Sequence, residues 1–393
     1  MRNKNKSQFD YVLAGIVFSL IIIAIIALVG TSAQLSYQKF GDSAKFLTHQ
    51  LVFGFLLGLI ACVTAFKIPL IYFKKYAGIF LLINLFLLLL VFIPGIGFSS
   101  HGSSRWVDIG FASFQPSEFL KISFILYLSL WIASKRDKNQ ILNRKPRISK
   151  NSKLSKINLF LFKLNKETNK SLFAFLCVIF FISAFLIAQP DVSTLGIILL
   201  TATIIYFCAG TPLWHIILIG LLGISSLMIL IKTTAYRDSR LKVFLNPNFD
   251  PMGIGYQIKQ SLITIGSGGL FGVGLGMSKQ KNVFLPESMS DSIFSIFAEE
   301  MGFIGALFLI FLFLGFLWRG FEIAKKSSDK FYSLTAIGIT TWIVIQAFIN
   351  ISSMIGVLPL TGIPLPFFSY GGSHIIAELI GVGILFNISK NSV

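Results

Sequence analysis

The feature that most limits how this chain folds is a recurring apolar run of about 20 residues, found from residue 11 almost to the C-terminus. A helix of about 20 apolar residues spans a hydrocarbon core of about 30 Å. Ten runs fit that measure: 11–30, 46–66, 76–94, 117–134, 171–189, 192–209, 213–231, 294–318, 331–353 and 372–389. Lipid offers no partner for backbone N–H and C=O groups, so a span is a helix or a strand of a closed barrel. These runs lack the alternation of barrel strands. The expected fold is an all-α integral membrane protein with ten transmembrane helices. Only 13% of residues are charged and 54% are hydrophobic, which excludes an ordinary soluble domain. The first run is too long for a signal-peptide core and reads as an anchor. Cys62, Cys177 and Cys208 each stand alone in apolar runs, as small core residues without metal spacing.

An even number of spans puts both termini on one side. If that side is the cytoplasm, its segments (1–10, 67–75, 135–170, 210–212, 319–330 and 390–393) hold 23 of the 34 Lys and Arg, against 10 outside. That bias predicts cytoplasmic termini. The net charge of +18 therefore reads as topology and not as a nucleic-acid surface, since 12 of the cations lie in one basic cytoplasmic loop, 135–170. That loop is solvated or rests on anionic headgroups. A single domain, 1–393, is expected, with a large extracytoplasmic loop, 232–293, between helices 7 and 8. Segments 95–116 and 354–371 also face outward. No internal repeat is visible, which weighs mildly against repeat-built transporters.

The polar, glycine-rich stretch from Tyr256 to Gly305 is the candidate active region. Its series Gly266, Gly268, Gly269, Gly272, Gly274 and Gly276 lacks the Lys-Ser/Thr pair of a phosphate loop, so close packing and a loop beside a bulky substrate are expected instead. In Phe284–Glu300, FLPESMSDSIFSIFAEE, Pro286 ends one element and Ser290 is expected to cap a helix starting near Asp291. A helix dipole accounts for Asp291 alone, but not for Glu287, Glu299 and Glu300 beside it. Glu299 and Glu300 fall two turns deeper and are expected to face a cavity.

Upstream, SRWVDIGFASFQPSEFLK (104–121) offers Ser117 as a cap. It also places Glu118 and Lys121 three residues apart, as a pair on one helix face. An unpaired intramembrane Lys is costly. A structural ion pair and a polar cavity wall both fit. Asp191 of Gln189-Pro190-Asp191 either caps the next helix or faces the same cavity. Arg237, Arg240 and Lys242 mark an amphipathic strip on the outer leaflet. Pro and Gly punctuation from Gly362 to His374 forces an ordered loop, flanked by Asn350 and Glu378. The four His show no ligand spacing, so no metal site is assigned.

These motifs, in this order along nearly the whole chain, resemble the SEDS family (shape, elongation, division and sporulation), whose members include FtsW and RodA. The wording of YQIKQSL and GLGMSKQK is closer to the FtsW branch. The resemblance implies a peptidoglycan glycosyltransferase that polymerises lipid II at the outer face of the bacterial cytoplasmic membrane. Its working place would be the division septum, with a class B penicillin-binding protein (a transpeptidase), other division or elongation proteins and membrane lipids as partners. The family's aspartate falls in LPE-x-x-(T/S)-D and so maps to Asp291. Its Glu–Lys pair maps to Glu118 and Lys121, and its QPD aspartate to Asp191. Met289, Ser292 and His374 depart from residues common in the family.

The chemistry expected is displacement of a lipid pyrophosphate from an anomeric carbon by a sugar hydroxyl, with Asp291 as general base, worth typically about 10²–10⁴-fold. Arg105, Lys279, Lys281 and Arg240 are expected to neutralise the pyrophosphate, as a divalent cation (Mg or Mn) would also do. Glu118, Lys121, Asp191, Gln260, Ser261 and Glu287 complete the expected substrate-binding set. Glu118, Lys121 and Asp191 also fit the polar track of a lipid II flippase, and the loops fit a non-catalytic scaffold that recruits septal enzymes.

Overall fold

A computed structural model describes residues 9–391 except 101–102, 109, 111–112, 144–152, 247, 251 and 279–285. All ten apolar runs fall on helices. These are α1 (Tyr11–Phe40), α2 (Lys45–Lys67), α3 (Leu70–Leu90), α4 (Pro116–Asn143), α5 (Lys153–Ala188), α6 (Val192–Cys208) and α7 (Leu213–Lys232). Two shorter helices follow, α8 (Ala235–Leu245) and α9 (Ile254–Ser267), and then α10 (Ile293–Lys326), α11 (Lys330–Met354) and α12 (Gly372–Asn391). Among the described residues nine helices are long and apolar enough to cross a membrane; α6, at 17 residues, is shorter.

One expectation needs correction. The fold is not wholly helical: β1 (Gly97–Ser100), β2 (Ser103–Asp108) and β3 (Ser113–Phe114) form an antiparallel sheet in the order β1-β2-β3. Strands this short carry too few alternations to register as a periodicity. Among the described residues of the basic segment 135–170 the backbone is helical: α4 runs to Asn143 and α5 starts at Lys153. Charge marks a water-facing segment but does not stop a helix. The 232–293 segment likewise contains α8 and α9.

Local chemistry sets the ends. Asp10 caps α1 by accepting the Leu13 N–H at 2.9 Å, and Gly41 closes it at φ 72°. Asp10 also holds Arg319 of α10 at 2.7 Å, and Lys74 of α3 meets Asp329, the α11 cap, at 2.7 Å. These pairs gather the N-termini of α1, α3 and α11 with the C-terminal end of α10 at one end of the bundle. The sheet, α8, α9 and the 355–371 loop lie at the other.

The core is built on α11 and α12, buried nearly all round. Without a hydrophobic force between helices in lipid, close approach supplies the packing. A Cβ at Gly383 would lie 2.3 Å from the Cys62 carbonyl, so α12 seats against α2 only with glycine there. At the opposite extreme, His215 is the only buried residue of α7.

Candidate functional site

The site is assembled around the turn that leads into α10. Residues 286–292 form consecutive turns, and α10 begins at Ile293 with Ser292 in the cap position. Ser290 is therefore not the cap: its hydroxyl instead donates to Glu287 Oε2 at 2.7 Å. The amides of Ser290 and Ser292 both donate to the Glu287 carbonyl at 3.1 Å, closing the turn over Asp291.

The last loop fixes this turn by its backbone. Asn350 Nδ2 donates to the Asp291 carbonyl at 2.9 Å and to the Ile363 carbonyl at 2.7 Å. Ser369 Oγ donates to the Ser290 carbonyl at 2.6 Å, and the Tyr370 amide to the Met289 carbonyl at 2.7 Å. Gln257 of α9 donates to Ser292 Oγ at 3.2 Å. Asp291 as a residue is half-buried.

Gly362 brings Arg240 to the same spot. A Cβ on Gly362 would lie 3.4 Å from both Arg240 Nη2 and Asp291 Oδ2, and its φ of 67° favours glycine. Arg240 Nη1 donates to the Thr361 carbonyl at 3.1 Å, and Ser193 Oγ donates to that oxygen at 2.6 Å. Burial, then the Glu287 carboxylate, push the Asp291 carboxyl up to about 6, against the opposing pull of Arg240 and Arg105. Arg105 also acts on Arg237, whose guanidinium is held below its ordinary range by burial first. Two arginines thus act electrostatically on one carboxylate.

Arg105, on β2, donates from Nη2 to the Pro190 carbonyl and lies 3.9 Å from Asp191. Asp191 is the helix cap and also holds Ser117. It caps α6 by accepting the Thr194 amide at 3.3 Å, and its other oxygen accepts Ser117 Oγ at 3.0 Å. Ser117 is not a helix cap: α4 starts one residue earlier, at Pro116, which frees the hydroxyl for Asp191.

The Glu118–Lys121 pair forms at 2.8 Å with both side chains buried. Sequence reasoning missed the rest of its surroundings. Lys121 Nζ also donates to Gln346 Oε1 at 2.8 Å and lies 5.2 Å from the Trp342 ring. Trp342 Nε1 donates to the same Gln346 oxygen at 2.9 Å. Gln346 Nε2 donates to the Pro364 carbonyl at 3.1 Å and approaches Glu378 Oε1 at 3.5 Å. Glu378 Oε2 accepts the Phe367 amide at 2.8 Å.

Of the remaining expected residues, Ser261 does not join the site: it is buried with its hydroxyl on Met354 Sδ at 3.7 Å. The glutamine of α9 that reaches the Asp291 turn is Gln257, one turn before Gln260, whose carbonyl accepts Thr264 Oγ1 within the helix. Lys279 and Lys281 lie outside the described residues. Glu299 and Glu300 do not face lipid. Both are buried, and Glu299 accepts hydroxyls from Ser267 (3.2 Å) and Ser278. The helix breaks at Gly302 (φ 70°), and the glycine loop is stitched into the break. Val273 and Gly274 donate to the Glu299 and Glu300 carbonyls, while Phe303 and Ile304 donate back to Gly269 and Leu270, all at 2.9–3.2 Å.

This arrangement, a helical membrane bundle with one charged turn at its end, matches a known class. A sequence profile described as "Cell cycle protein", covering FtsW, RodA and SpoVE, fits residues 11–393. The chain belongs to that family, the SEDS proteins. It is 38% identical over 389 residues to stage V sporulation protein E of Bacillus subtilis, covering 98% of each chain. It is 35% identical over 383 residues to a probable peptidoglycan glycosyltransferase FtsW of Trichlorobacter lovleyi, covering 98% of this chain and 93% of that one. The fold is similar to a chain in a structure of a peptidoglycan synthase complex that coordinates polymerization and crosslinking (TM-score 0.73, 24% identity, 98% of each chain). It is also similar to the rod shape determining protein RodA of Thermus thermophilus (TM-score 0.65, 22% identity, 98% of each chain).

Proposed function

We propose that this chain polymerises lipid II into glycan strands at the outer face of the bacterial cytoplasmic membrane during division, with Asp291 as general base. The class of activity, peptidoglycan glycosyl transfer, follows from family membership and the names its relatives carry. In this reading the chain is one domain with ten spans. Both termini and the Asp10–Arg319 end are cytoplasmic, and the Asp291 end faces out. The observation that carries it is the Asp291 turn: the carboxylate of a half-buried residue, its pKa raised to about 6, within the field of Arg105 and Arg240.

The acceptor hydroxyl attacks the donor's anomeric carbon, and its proton passes to the Asp291 carboxylate. The bond from that carbon to the pyrophosphate oxygen breaks, and its electron pair leaves with the lipid pyrophosphate. Arg105 and Arg240, with Lys279 and Lys281, take up the developing charge. Among the described residues no three His, Cys, Asp or Glu converge to hold a metal ion. A class B penicillin-binding protein is the proposed partner, by analogy with the synthase complex of similar fold.

The flippase alternative needs Glu118, Lys121 and Asp191 to line a polar track. The hydrogen-bond and ion-pair partners of Lys121 named above are inside the protein, which favours the enzyme. Purified chain incubated with lipid II in detergent, with and without its penicillin-binding protein, tests the reading. Micelles have no two compartments to flip between, so polymer there means enzyme. Absence of polymer in both samples overturns it.

A further inference from the structure

We infer that the Glu118–Lys121 pair serves the reaction as a positioning device, acting through Gln346 and Asn350 of α11 on the backbone of Asp291, and not as a ligand of the substrate. The inference rests on the function proposed above. Lys121 is 2% exposed, and its ammonium already faces Glu118 Oε2 and Gln346 Oε1, each at 2.8 Å, and the Trp342 ring. A substrate phosphate would have to displace one of these partners in a site closed to water.

What the pair does hold is Gln346. Its amide oxygen accepts from both Lys121 and Trp342, and this leaves its NH₂ pointing the other way, to the Pro364 carbonyl. Four residues on, one helical turn along the same face, Asn350 repeats the pattern. Its NH₂ donates to the Ile363 carbonyl and to the Asp291 carbonyl. Two side-chain amides, one turn apart on a buried helix, therefore grip consecutive carbonyls of one loop, and the second also grips the Asp291 turn. Glu378 adds a third hold on the same loop through the Phe367 amide.

Loss of the pair weakens one of the two donors on the Gln346 oxygen, so the amide is held less firmly on Pro364. The strand through Ile363 then loosens, together with Gly362, which separates Arg240 from Asp291. A shift of about 1 Å at a catalytic group can cost about 10²-fold in rate. Substrate affinity should not change, because none of these side chains touches substrate.

The test is a double-mutant cycle in detergent, with Glu118→Gln, Gln346→Met and both together, scored for turnover and for binding of labelled lipid II. Asp291→Asn is the control. Two groups acting as one unit are not additive. Each single change should lower turnover at least about tenfold, the double should fall no further than the worse single, and lipid II affinity should stay within about twofold. If the variants fold poorly, Trp342→Phe removes only the indole donor, and a fall of a few-fold in turnover at constant affinity is expected. Additive losses, or weaker lipid II binding in Glu118→Gln, overturn the inference alone. An Asp291→Asn control that polymerises normally overturns both the inference and the reading beneath it.

Discussion

Asp291 and Glu118 lie at the same end of the bundle and are held in opposite ways. Glu118 is fixed through its side chain, buried against Lys121 at 2.8 Å. Asp291, a half-buried residue, is fixed through its backbone, by Asn350 on its own carbonyl and by Ser369 and Tyr370 on its neighbours. A carboxylate whose oxygens are committed to protein partners has little left for a substrate. One anchored by its main chain is located as firmly, yet its side chain remains available. Two acids of similar standing in the sequence thus differ in which part of the residue the protein holds.

The largest effect expected from this contrast concerns the buried pair. Lys121→Met strands Glu118 in a dry interior, at a cost of about 3–5 kcal/mol. Thermal unfolding in detergent should show a clear drop in midpoint, and an unchanged midpoint would mean that Glu118 is not sealed in. The pH profile should show a smaller effect. A general base works ionised, and the Asp291 pKa is raised to about 6, so turnover should be full above that value and lost as pH falls through it. Glu287→Gln removes a charge that raises this pKa, and the acid limb should move down. Arg240→Met removes one that lowers it, and the limb should move up. Limbs that respond to neither change would place the titrating group elsewhere. The smallest effect belongs to the Lys242–Asp238 pair on α8, which is 51% and 39% exposed. Lys242→Ala should change stability by less than about 0.5 kcal/mol.

The legible parts of the molecule were those governed by local rules. Hydrophobic length places the helices, since a span needs its apolar residues in one continuous run. The i, i+3 spacing of Glu118 and Lys121 foretold their contact for the same reason. Asp191 reads as a cap from its place before an apolar run, and it caps α6. What stayed hidden depends on contacts between distant stretches. Gln346 meets Lys121 across 225 residues, and nothing beside Gln346 in the chain points to that partner. Gln257 was passed over for Gln260 because only the docking of α9 on the Asp291 turn tells which face of the helix looks inward. Glu299 and Glu300 read from the chain as facing a cavity, whereas the broken helix at Gly302 beside them, which receives the glycine loop, is a tertiary feature with no local signal.

The central claim is that the carboxylate at position 291 accepts a proton from the attacking sugar hydroxyl. Its most direct test is lipid II polymerisation by purified Asp291→Asn protein, near neutral pH, beside a binding measurement on the same sample. The predicted result is a loss of at least about 100-fold in turnover with lipid II still bound. Polymer made at the normal rate by a chain lacking that carboxylate would contradict the account.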